Sequence, residues 1–440
     1  RHNPEDPTSL GGNDIWSLSE DSMGRIWIGT TSSGLSVFDP DSETSVHFRN
    51  NPTDPLSLST NRIRRLYHDR SDILWVGTRG GGVNKSDPAS TRFTHYQGDP
   101  TDLQRPSDYP VLSLLEDEAP LQLVELPDPE PAAGEVRIRV SACGVCHTEL
   151  DEIEGRTAPP HLPVIPGHEV IGRVDRRGAG ANRFAEGERV GVGWIHHSSG
   201  SPDENLDPGF VATGRDHNGG YAEYLTVPEA YACPVPEVFS DAEAAPLLCA
   251  GSVGYRSLKL TGLANGDPLG LTGFGGSAHI VLQLARHLYP DSPVSVFARD
   301  PQARDFALQL GADWAGDTTD RPPQPCQAII DTTPAWKPVV AALASLRPGG
   351  RLVINAIRKE DTDQDELLGL RYHEHLWMEK EIKSVANVTH ADIAEFLPIA
   401  ARIPIRPAVE TYPLEEANRA LLELKCGPVR GAKVLIISGG

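Results

Sequence analysis

Thiol and imidazole side chains are the residues of this sequence that could hold a metal ion or carry out redox chemistry. Six cysteines occur among 440 residues, and none precedes Cys143. So few cysteines exclude a disulfide-stabilised scaffold and indicate free thiols in a reducing compartment. The spacing Cys143-X-X-Cys146 is typical of half a four-cysteine zinc site or of a redox pair. No second such pair exists, which excludes the four-cysteine site. A redox pair would need both thiols and stays an alternative.

Three segments that contain cysteine or histidine follow one another along the chain. They are CGVCHTEL at 143–150, PGHEVIGRV at 166–174 and APLLCAG at 245–251. Together they resemble the metal-binding segments of the medium-chain, zinc-dependent alcohol dehydrogenases, and the resemblance covers residues 118–440. It implies that a catalytic zinc ion is held by Cys146, His168 and Cys249, while Cys143 only packs in the core.

The chemistry of this implied ligand set explains the choice of metal. Two thiolates and one imidazole suit Zn²⁺ and leave the fourth tetrahedral position open for a substrate oxygen. Zinc would act there as a Lewis acid that lowers the pKa of an alcohol, so that its carbon can release hydride to a nicotinamide. The resemblance therefore implies an oxidoreductase that interconverts an alcohol and an aldehyde or ketone with NAD(P)(H).

The resemblance also implies roles for residues close to these ligands. Thr148 matches the hydroxyl that binds the substrate oxygen and starts a proton relay. Glu169 matches the acidic neighbour of the zinc, and His147 matches a position that reaches the cofactor pyrophosphate. Where relatives often have a histidine, five residues after the first ligand, this sequence has Asp151. The proton is then expected to leave through Asp151 or through water.

Relatives often carry a second, structural zinc on a lobe with four closely spaced cysteines. The corresponding stretch here, residues 191–224, contains no cysteine. It contains His196, His197 and His217, but a tetrahedral site needs four ligands. The sequence therefore predicts one zinc ion per chain and no structural zinc.

A glycine-rich turn follows the predicted strand Leu269–Thr272 and precedes a predicted helix. The turn has the spacing G-X-G-X-X-A. In it Gly273 permits a tight turn, Gly275 lets the backbone approach a pyrophosphate, and Ala278 permits close packing of helix on sheet. Gly276 is a further predicted cofactor contact. The helix N-terminus would supply amide groups to the phosphates, so the β-α-β context favours a dinucleotide site over a simple turn.

The end of the next predicted strand indicates which dinucleotide binds. NAD-binding proteins usually have a carboxylate there for the ribose 2′-hydroxyl, but this sequence has Ala298 followed by Arg299. An arginine can bind a 2′-phosphate, so NADP is preferred, and NAD stays possible because Asp300 is adjacent. Near the C-terminus, Arg430 is a candidate for contact with the pyrophosphate or a solvated surface residue.

The elements that must position these residues predict an α/β fold of two parts. The alternating strand Val136–Val140 belongs to a GroES-like, β-rich catalytic domain. Strands that alternate with helices from residue 250 onward indicate a doubly wound Rossmann domain that binds NAD(P). The predicted bounds are 118–249 with 388–440 for the catalytic domain and 250–387 for the nucleotide domain.

The N-terminal region is built differently, from sequence repeats. The segment that begins at Asn3 aligns without gaps onto the one that begins at Asn51, a period of 48 residues. Each copy has short β-rich runs that end in Trp-X-Gly-Thr, which suits one four-stranded propeller blade. The units resemble the propeller repeats of two-component sensor proteins. A third copy begins at Asp99 and breaks off, so residues 1–117 are predicted to be an incomplete, all-β propeller region.

The composition of the chain limits the classes of molecule that it is expected to bind. A net charge of −21 argues against nucleic acid, which needs clustered Lys and Arg. No apolar stretch approaches the roughly 20 residues that span a bilayer. The expectation is a cytoplasmic enzyme of a small alcohol or aldehyde, assembled as a homodimer or homotetramer as family members are.

Two other interpretations stay open. One is a zinc-free quinone or enone reductase of the same superfamily, which the presence of all three ligand positions disfavours. The other is a sensory or binding protein in which the propeller repeats are the functional part and the dehydrogenase region is inactive. The interrupted third repeat disfavours this second alternative.

Overall fold

The computed structural model describes residues 2, 6, 8–21, 23–51, 54, 57–68, 73–78, 83–86, 93–96, 108–113, 120–403, 405–426 and 431–437. The chain divides into two compact units, Arg1–Gln104 and Arg105–Gly440. Among the described residues, none of the helices has the length and apolar character that a membrane span requires.

The first unit contains two four-stranded antiparallel sheets, one for each complete sequence repeat. In both sheets the strands pair in sequence order. The first sheet consists of β1 (Ile15–Glu20), β2 (Ile26–Thr30), β3 (Leu35–Asp39) and β4 (Thr44–Phe48). The second consists of β5 (Ile63–His68), β6 (Leu74–Thr78), β7 (Val83–Ser86) and β8 (Thr94–Tyr96). The blade-like arrangement predicted from the 48-residue period is confirmed.

Both sheets contribute to one apolar core. Trp27 and Leu35 of the first sheet and Ile63 and Val76 of the second belong to the same buried cluster. The glycine of the repeated Trp-X-Gly-Thr motif explains how the sheets approach, because a Cβ on Gly29 would lie 2.5 Å from Cγ2 of Ile63. A side chain at this position would therefore separate β5 from β2.

The second unit contains all the remaining strands and helices. Its strands are β9 (Asp108–Ser113), β10 (Gln122–Pro127), β11 (Glu135–Val145), β12 (Val170–Arg177), β13 (Arg189–Val192), β14 (Ile195–His197), β15 (Val211–Ala212), β16 (Tyr224–Pro228), β17 (Ala232–Pro234), β18 (Leu269–Thr272), β19 (Val294–Phe297), β20 (Trp314–Gly316), β21 (Cys326–Asp331), β22 (Leu346–Ile354), β23 (Glu381–Ser384), β24 (Val409–Pro413) and β25 (Ala432–Ile436). Its helices are α1 (His147–Ile153), α2 (Asp241–Ala244), α3 (Ala250–Thr261), α4 (Ala278–Leu288), α5 (Pro301–Gln309), α6 (Lys337–Ser345), α7 (Tyr372–His375), α8 (His390–Arg402) and α9 (Ala417–Cys426).

The strand β9 lies in the segment that the sequence assigns to the propeller region. The structure instead pairs β9 antiparallel with β10 across the whole length of both strands. This pairing places β9 in the unit Arg105–Gly440, and the domain bounds given above stay predictions.

The catalytic part is a mostly antiparallel sheet centred on β11. The strand order is β17-β13-β12-β11-β25-β24, and β16 also pairs with β11. Alternate residues Val136, Ile138 and Val140 are fully buried, as the apolar alternation of this strand predicts. Because β11 is fixed on both sides, its C-terminal end, where Cys146 follows, is held firmly.

The nucleotide part is a parallel sheet of six strands. Their order is β20-β19-β18-β21-β22-β23. The sequence order reverses between β18 and β21, and in such sheets a crevice for ligands forms at that point beyond the carboxyl ends of the strands. The predicted Rossmann fold beside a GroES-like domain is confirmed.

The C-terminal segment contributes to both parts of the unit. The strand β25 pairs with β11 and with β24, so both strands extend the catalytic sheet. The helix α8 packs against α3, next to the nucleotide sheet, and its residues Ile393 and Phe396 belong to the same apolar core as that sheet.

Candidate active site

Four side chains with metal-binding atoms meet in the second unit. One ligand atom from each of Cys146, His168, Glu169 and Cys249 lies within 4.8 Å of the others. The Sγ atom of Cys146 is 3.7 Å from Nε2 of His168. The three sequence segments are therefore brought together, and the ligand roles of these residues stay predictions.

Ends of secondary-structure elements position these four side chains. Cys146 lies between the end of β11 and the first residue of α1, where its sulfur accepts a hydrogen bond from the backbone N–H of Thr148 at 3.3 Å. His168 and Glu169 directly precede β12, and Cys249 directly precedes α3. Short, fixed connections of this kind hold ligand atoms in place with little loss of entropy when a ligand binds.

Glu149 orients the imidazole of His168, and the sequence interpretation missed this residue. Its Oε1 atom lies 2.6 Å from Nδ1 of His168, and both side chains are buried. Its Oε2 atom accepts a hydrogen bond from the backbone N–H of Cys146 at 2.9 Å. The spacing of a capping box, with an acidic residue three positions after the helix cap, was the signal available in the sequence.

Burial and mutual contact control the charges of the cluster. The hydrogen bond with Cys249, together with burial, raises the pKa of the Cys146 thiol well above its usual value. Burial also raises the pKa of Glu169 to about 7. Such groups disfavour negative charge without a neighbouring cation, and a bound divalent ion reverses that preference.

Close packing around the cluster requires glycine at two positions. A Cβ on Gly144 would lie 1.7 Å from Oε2 of Glu169. A Cβ on Gly167 would lie 2.5 Å from the ring of Tyr221, and Gly167 has a φ of +100°. Cys143 lies beside this ring and is fully buried, as a core residue is expected to be.

The predicted proton-relay residues have different surroundings. Thr148 is buried next to Cys146 on α1. Asp151 is fully buried, and its Oδ1 atom contacts the guanidinium groups of Arg156 and Arg358 at 2.6 and 2.5 Å. His147, the first residue of α1, is exposed.

An aromatic wall borders the cluster. The ring of Trp194 packs edge-on against the ring of His168, with 4.9 Å between the ring centroids. Further along the same lobe, the ring of His196 stacks on that of His217 at 3.9 Å. Burial and the neighbouring imidazole of His217 lower the pKa of His196 to about 3, so its ring is neutral at physiological pH.

The glycine-rich turn has the backbone that its sequence predicts. Gly273 has a φ of +76°, a conformation that favours glycine, and Ala278 is fully buried where α4 meets the sheet. A Cβ on Gly275 would have no atom within 4 Å, so the turn leaves open space there. Next to it, the nearest atom to a Cβ on Gly276 would be the carbonyl oxygen of Gly431 at 3.5 Å.

The residues after β19 are those that bear on the choice between NAD and NADP. Ala298 is buried and Arg299 is exposed. The Oδ1 atom of Asp300 accepts a hydrogen bond from the backbone N–H of Gln302 at 3.0 Å and so caps α5. Arg430, the remaining predicted cofactor residue, lies outside the described residues.

Comparisons with known proteins agree with this geometry. Residues 132–237 match the model of the alcohol dehydrogenase GroES-like domain, and residues 9–32 and 57–80 match the two component regulator propeller. A probable alcohol dehydrogenase AdhA from Mycobacterium tuberculosis (strain CDC 1551 / Oshkosh) is 44% identical over 332 residues, which cover 73% of this chain and 94% of the relative. The chain belongs to the zinc-dependent alcohol dehydrogenases.

Other members of this dehydrogenase family are more distant. An alcohol dehydrogenase of Geobacillus stearothermophilus is 32% identical over 330 residues, which cover 72% of this chain and 95% of the relative. The solved structure of a cinnamyl alcohol dehydrogenase (SbCAD4) from Sorghum bicolor is 27% identical, with a TM-score of 0.66 over 75% of this chain and 98% of that chain. The resemblance inferred from the three sequence segments and from the repeats is thus confirmed.

Proposed function

We propose that this dehydrogenase interconverts a small alcohol and its aldehyde or ketone by hydride transfer, with one catalytic zinc ion and NADP(H). The single observation that carries the proposal is the convergence of Cys146, His168, Glu169 and Cys249 within 4.8 Å. Membership of the alcohol dehydrogenase family supports the same reaction.

The donor set fits zinc. Two thiols and an imidazole are ligands that Zn²⁺ prefers, and Cys146, His168 and Cys249 would hold it, while Glu169 would lie beside the ion or bind it transiently. Bound there, zinc would supply Lewis acidity that lowers the pKa of the substrate hydroxyl. The contact between Glu149 and His168 fixes the imidazole so that Nε2 faces the sulfur of Cys146.

Thr148 and Trp194 are then expected to transfer the substrate proton and to exclude water, respectively. The hydroxyl of Thr148 is expected to take the proton of the substrate hydroxyl at Oγ1 while it releases its own proton to water, because Thr148 lies two residues from Cys146 on α1. Trp194, buried against His168, supplies an apolar wall for the carbon skeleton of the substrate. Such a dry site strengthens electrostatic interactions at the reacting oxygen.

The nucleotide would occupy the crevice at the carboxyl ends of β18 and β21. The open space at Gly275 and the uncapped N-terminus of α4 suit a pyrophosphate. We favour NADP because Arg299 is exposed, whereas the carboxylate of Asp300 caps α5. Equal or better kcat/KM with NADH than with NADPH would contradict this preference.

One zinc ion per chain is supported by the lobe that lacks cysteines. In this lobe the buried carboxylate of Glu204 accepts hydrogen bonds from the backbone N–H of His390 at 2.6 Å and from the hydroxyl of Tyr231 at 3.1 Å. Hydrogen bonds thus stabilise the lobe that a structural zinc ion often stabilises in relatives. Metal analysis of the purified protein is expected to give one tightly held zinc ion, and two would contradict the proposal.

A homodimer or homotetramer is proposed through the edge of the nucleotide sheet. The strand β23 ends this sheet, and all four of its residues are exposed. Trp377 and Leu368, which are 49% and 89% exposed, belong to the segment before this strand. An exposed strand edge with large apolar side chains is a surface that a second copy can cover.

The five cysteines described are free thiols, which supports the cytoplasm as the location of the protein.

The decisive experiment is a panel of alcohols and aldehydes assayed with NADP(H) and NAD(H), with and without a zinc chelator. Turnover that a chelator abolishes and added zinc restores is the expected result. Turnover that survives complete zinc removal would favour the zinc-free reductase instead.

A further inference from the structure

We propose that Asp151 is a positioning residue that, together with Arg358, clasps the helix following Cys146 to the loop following β22. The clasp orders the crevice that receives the nicotinamide cofactor, and Asp151 is then not the outer member of a proton relay. This inference rests on the proposed dinucleotide site.

The surroundings of Asp151 carry the first step. Its side chain is fully buried, and Oδ1 accepts a hydrogen bond from Nε of Arg156 at 2.7 Å. The same oxygen lies 2.5 Å from Nε of Arg358. Arg156 lies just past the end of α1, and its backbone N–H donates a hydrogen bond to the carbonyl of Asp151 at 2.9 Å. Arg156 is therefore a local partner, whereas Arg358 comes from the nucleotide part of the unit.

The loop that carries Arg358 is anchored on both sides of that residue. The backbone N–H of Asn355 donates to the carbonyl of Asp331 at 2.7 Å, and that of Glu360 donates to the carbonyl of Pro334 at 2.7 Å. Lys359 contacts the carboxylate of Asp331. A loop with fixed ends can hold the guanidinium of Arg358 toward α1 at little cost in entropy.

Asp331, which holds this loop in place, lies at the opening of the proposed cofactor crevice. The buried carboxylate of Asp331, at the end of β21, accepts hydrogen bonds from the hydroxyls of Thr272 at 2.5 Å and Thr333 at 2.8 Å. From the same loop, Nδ2 of Asn355 donates to Oγ of Ser277 at 3.3 Å. Ser277 directly follows the glycine-rich turn, so the loop contacts the proposed pyrophosphate site.

Asp151 and Arg358 thus connect the candidate metal centre with the proposed nucleotide site. Asp151 lies on α1, whose first residue follows Cys146, and Arg358 lies on a loop that contacts the glycine-rich turn. An ion pair with a buried carboxylate is strong, and removing Asp151 or Arg358 breaks it at a considerable cost. Ordering both halves before the cofactor arrives reduces the entropy lost on binding.

The experiment compares D151N, R358Q and the double variant in the full-length, zinc-loaded protein. Kd values for NADPH and NADH are measured by fluorescence titration, and kcat is measured as a function of pH. Each single variant is expected to raise the Kd for the preferred nucleotide about 10-fold, and the double variant no further, because the two residues act as one contact. The pH profile of kcat is expected to stay in place.

The matched control is R176Q, which removes an exposed arginine paired with the exposed Glu130 in the catalytic part. Its Kd values are expected to equal those of the wild type. If D151N does not fold, R358Q together with R358K carries the test, since lysine keeps the charge but not the guanidinium geometry and is expected to give an intermediate Kd.

Three results would overturn the clasp: unchanged Kd values in D151N and R358Q, additive effects in the double variant, or a shifted pH profile of kcat in D151N alone. The last would make Asp151 a relay residue. A wild-type protein that binds neither NADPH nor NADH would instead overturn the proposed nucleotide site, and the clasp with it.

Discussion

At the scale of single residues, the close approach of Gly144 to Glu169 limits what the candidate metal centre can tolerate. A Cβ at Gly144 would lie 1.7 Å from Oε2 of Glu169, so G144A must displace that carboxylate. We expect kcat/KM to fall about 100-fold, because displacements near 1 Å at a reacting centre have effects of that size. Steady-state kinetics with zinc analysis checks this expectation.

The control for G144A is G369A, since a Cβ on Gly369 would have no atom within 4 Å and its φ is not positive. G369A is expected to have wild-type kinetics. Full activity in G144A would show that the position of Glu169 does not matter for the reaction.

Glu149 gives a second prediction at this scale. Because Oε1 of Glu149 lies 2.6 Å from Nδ1 of His168, E149Q removes the charge that orients the imidazole. Loss of such a partner of a ligating histidine lowers metal affinity about 10- to 100-fold. Competition for zinc with a chelator measures the change. E154Q, which removes a carboxylate after the last residue of the same helix, is expected to bind zinc as the wild type does, and equal affinities of all three proteins would refute the role of Glu149.

The sequence predicted part of the site for a physical reason. Cys146, His168 and Cys249 each lie in a short segment whose composition alone is distinctive, and the structure brings their ligand atoms together. The contact of Asp151 with Arg358 joins residues far apart in the chain, and no local pattern predicts which distant guanidinium reaches a buried carboxylate. The roles of these residues stay predictions until tested.

At the scale of elements, buried parallel strands were the easiest to predict. The apolar run Leu269–Thr272 is bounded by proline and glycine, and β18 has these same ends. By contrast, β11 extends to Val145, beyond the predicted Val140. Its last four residues, Ala142 to Val145, pair with β25 near the C-terminus. Extended structure that depends on a distant partner leaves little trace in the local sequence.

The start of α8 yields a prediction about stability and pH. Asp392 caps this helix through Thr389 and forms an ion pair with Arg256 of α3 at 2.6 Å. Burial opposes ionisation of this carboxyl, but the hydrogen bonds from Thr389 and Arg256 outweigh it and lower the pKa of Asp392. D392N is therefore expected to reduce the free energy of unfolding by about 1–3 kcal/mol at neutral pH.

The sign of the pH dependence follows from the lowered pKa. A carboxyl whose pKa is lower in the folded state stabilises the fold above its unfolded pKa, about 3.9, and this contribution disappears as the pH falls. The difference between wild type and D392N in urea denaturation is thus expected to shrink between pH 6 and pH 3. The control is E395Q, whose carboxylate is half exposed beside Lys259. A difference that does not change with pH would contradict the assignment.

At the scale of the whole molecule, the candidate site belongs to one unit. All its described residues, from Cys146 to Arg358, lie within Arg105–Gly440. The relative from Mycobacterium tuberculosis is matched over 94% of its length by 73% of this chain. The propeller-type blades of the first unit therefore add to a region that already corresponds to nearly a whole dehydrogenase.

The pairing of β9 with β10 decides where this chain can be shortened. A protein of residues 105–440 keeps all six residue pairs of that two-stranded sheet, whereas one of residues 118–440 loses β9 and leaves the edge of β10 unpaired.

We expect the longer protein to retain kcat/KM within about twofold of the full chain, since it keeps every described site residue. The shorter one should unfold at lower urea concentration, because the backbone hydrogen bonds of a strand pair each contribute about 0.5–1 kcal/mol. Urea denaturation and steady-state kinetics of both proteins distinguish the outcomes. Loss of activity in residues 105–440 would give the first unit a part in catalysis, and equal stability of the two proteins would show that β9 adds nothing to the second unit.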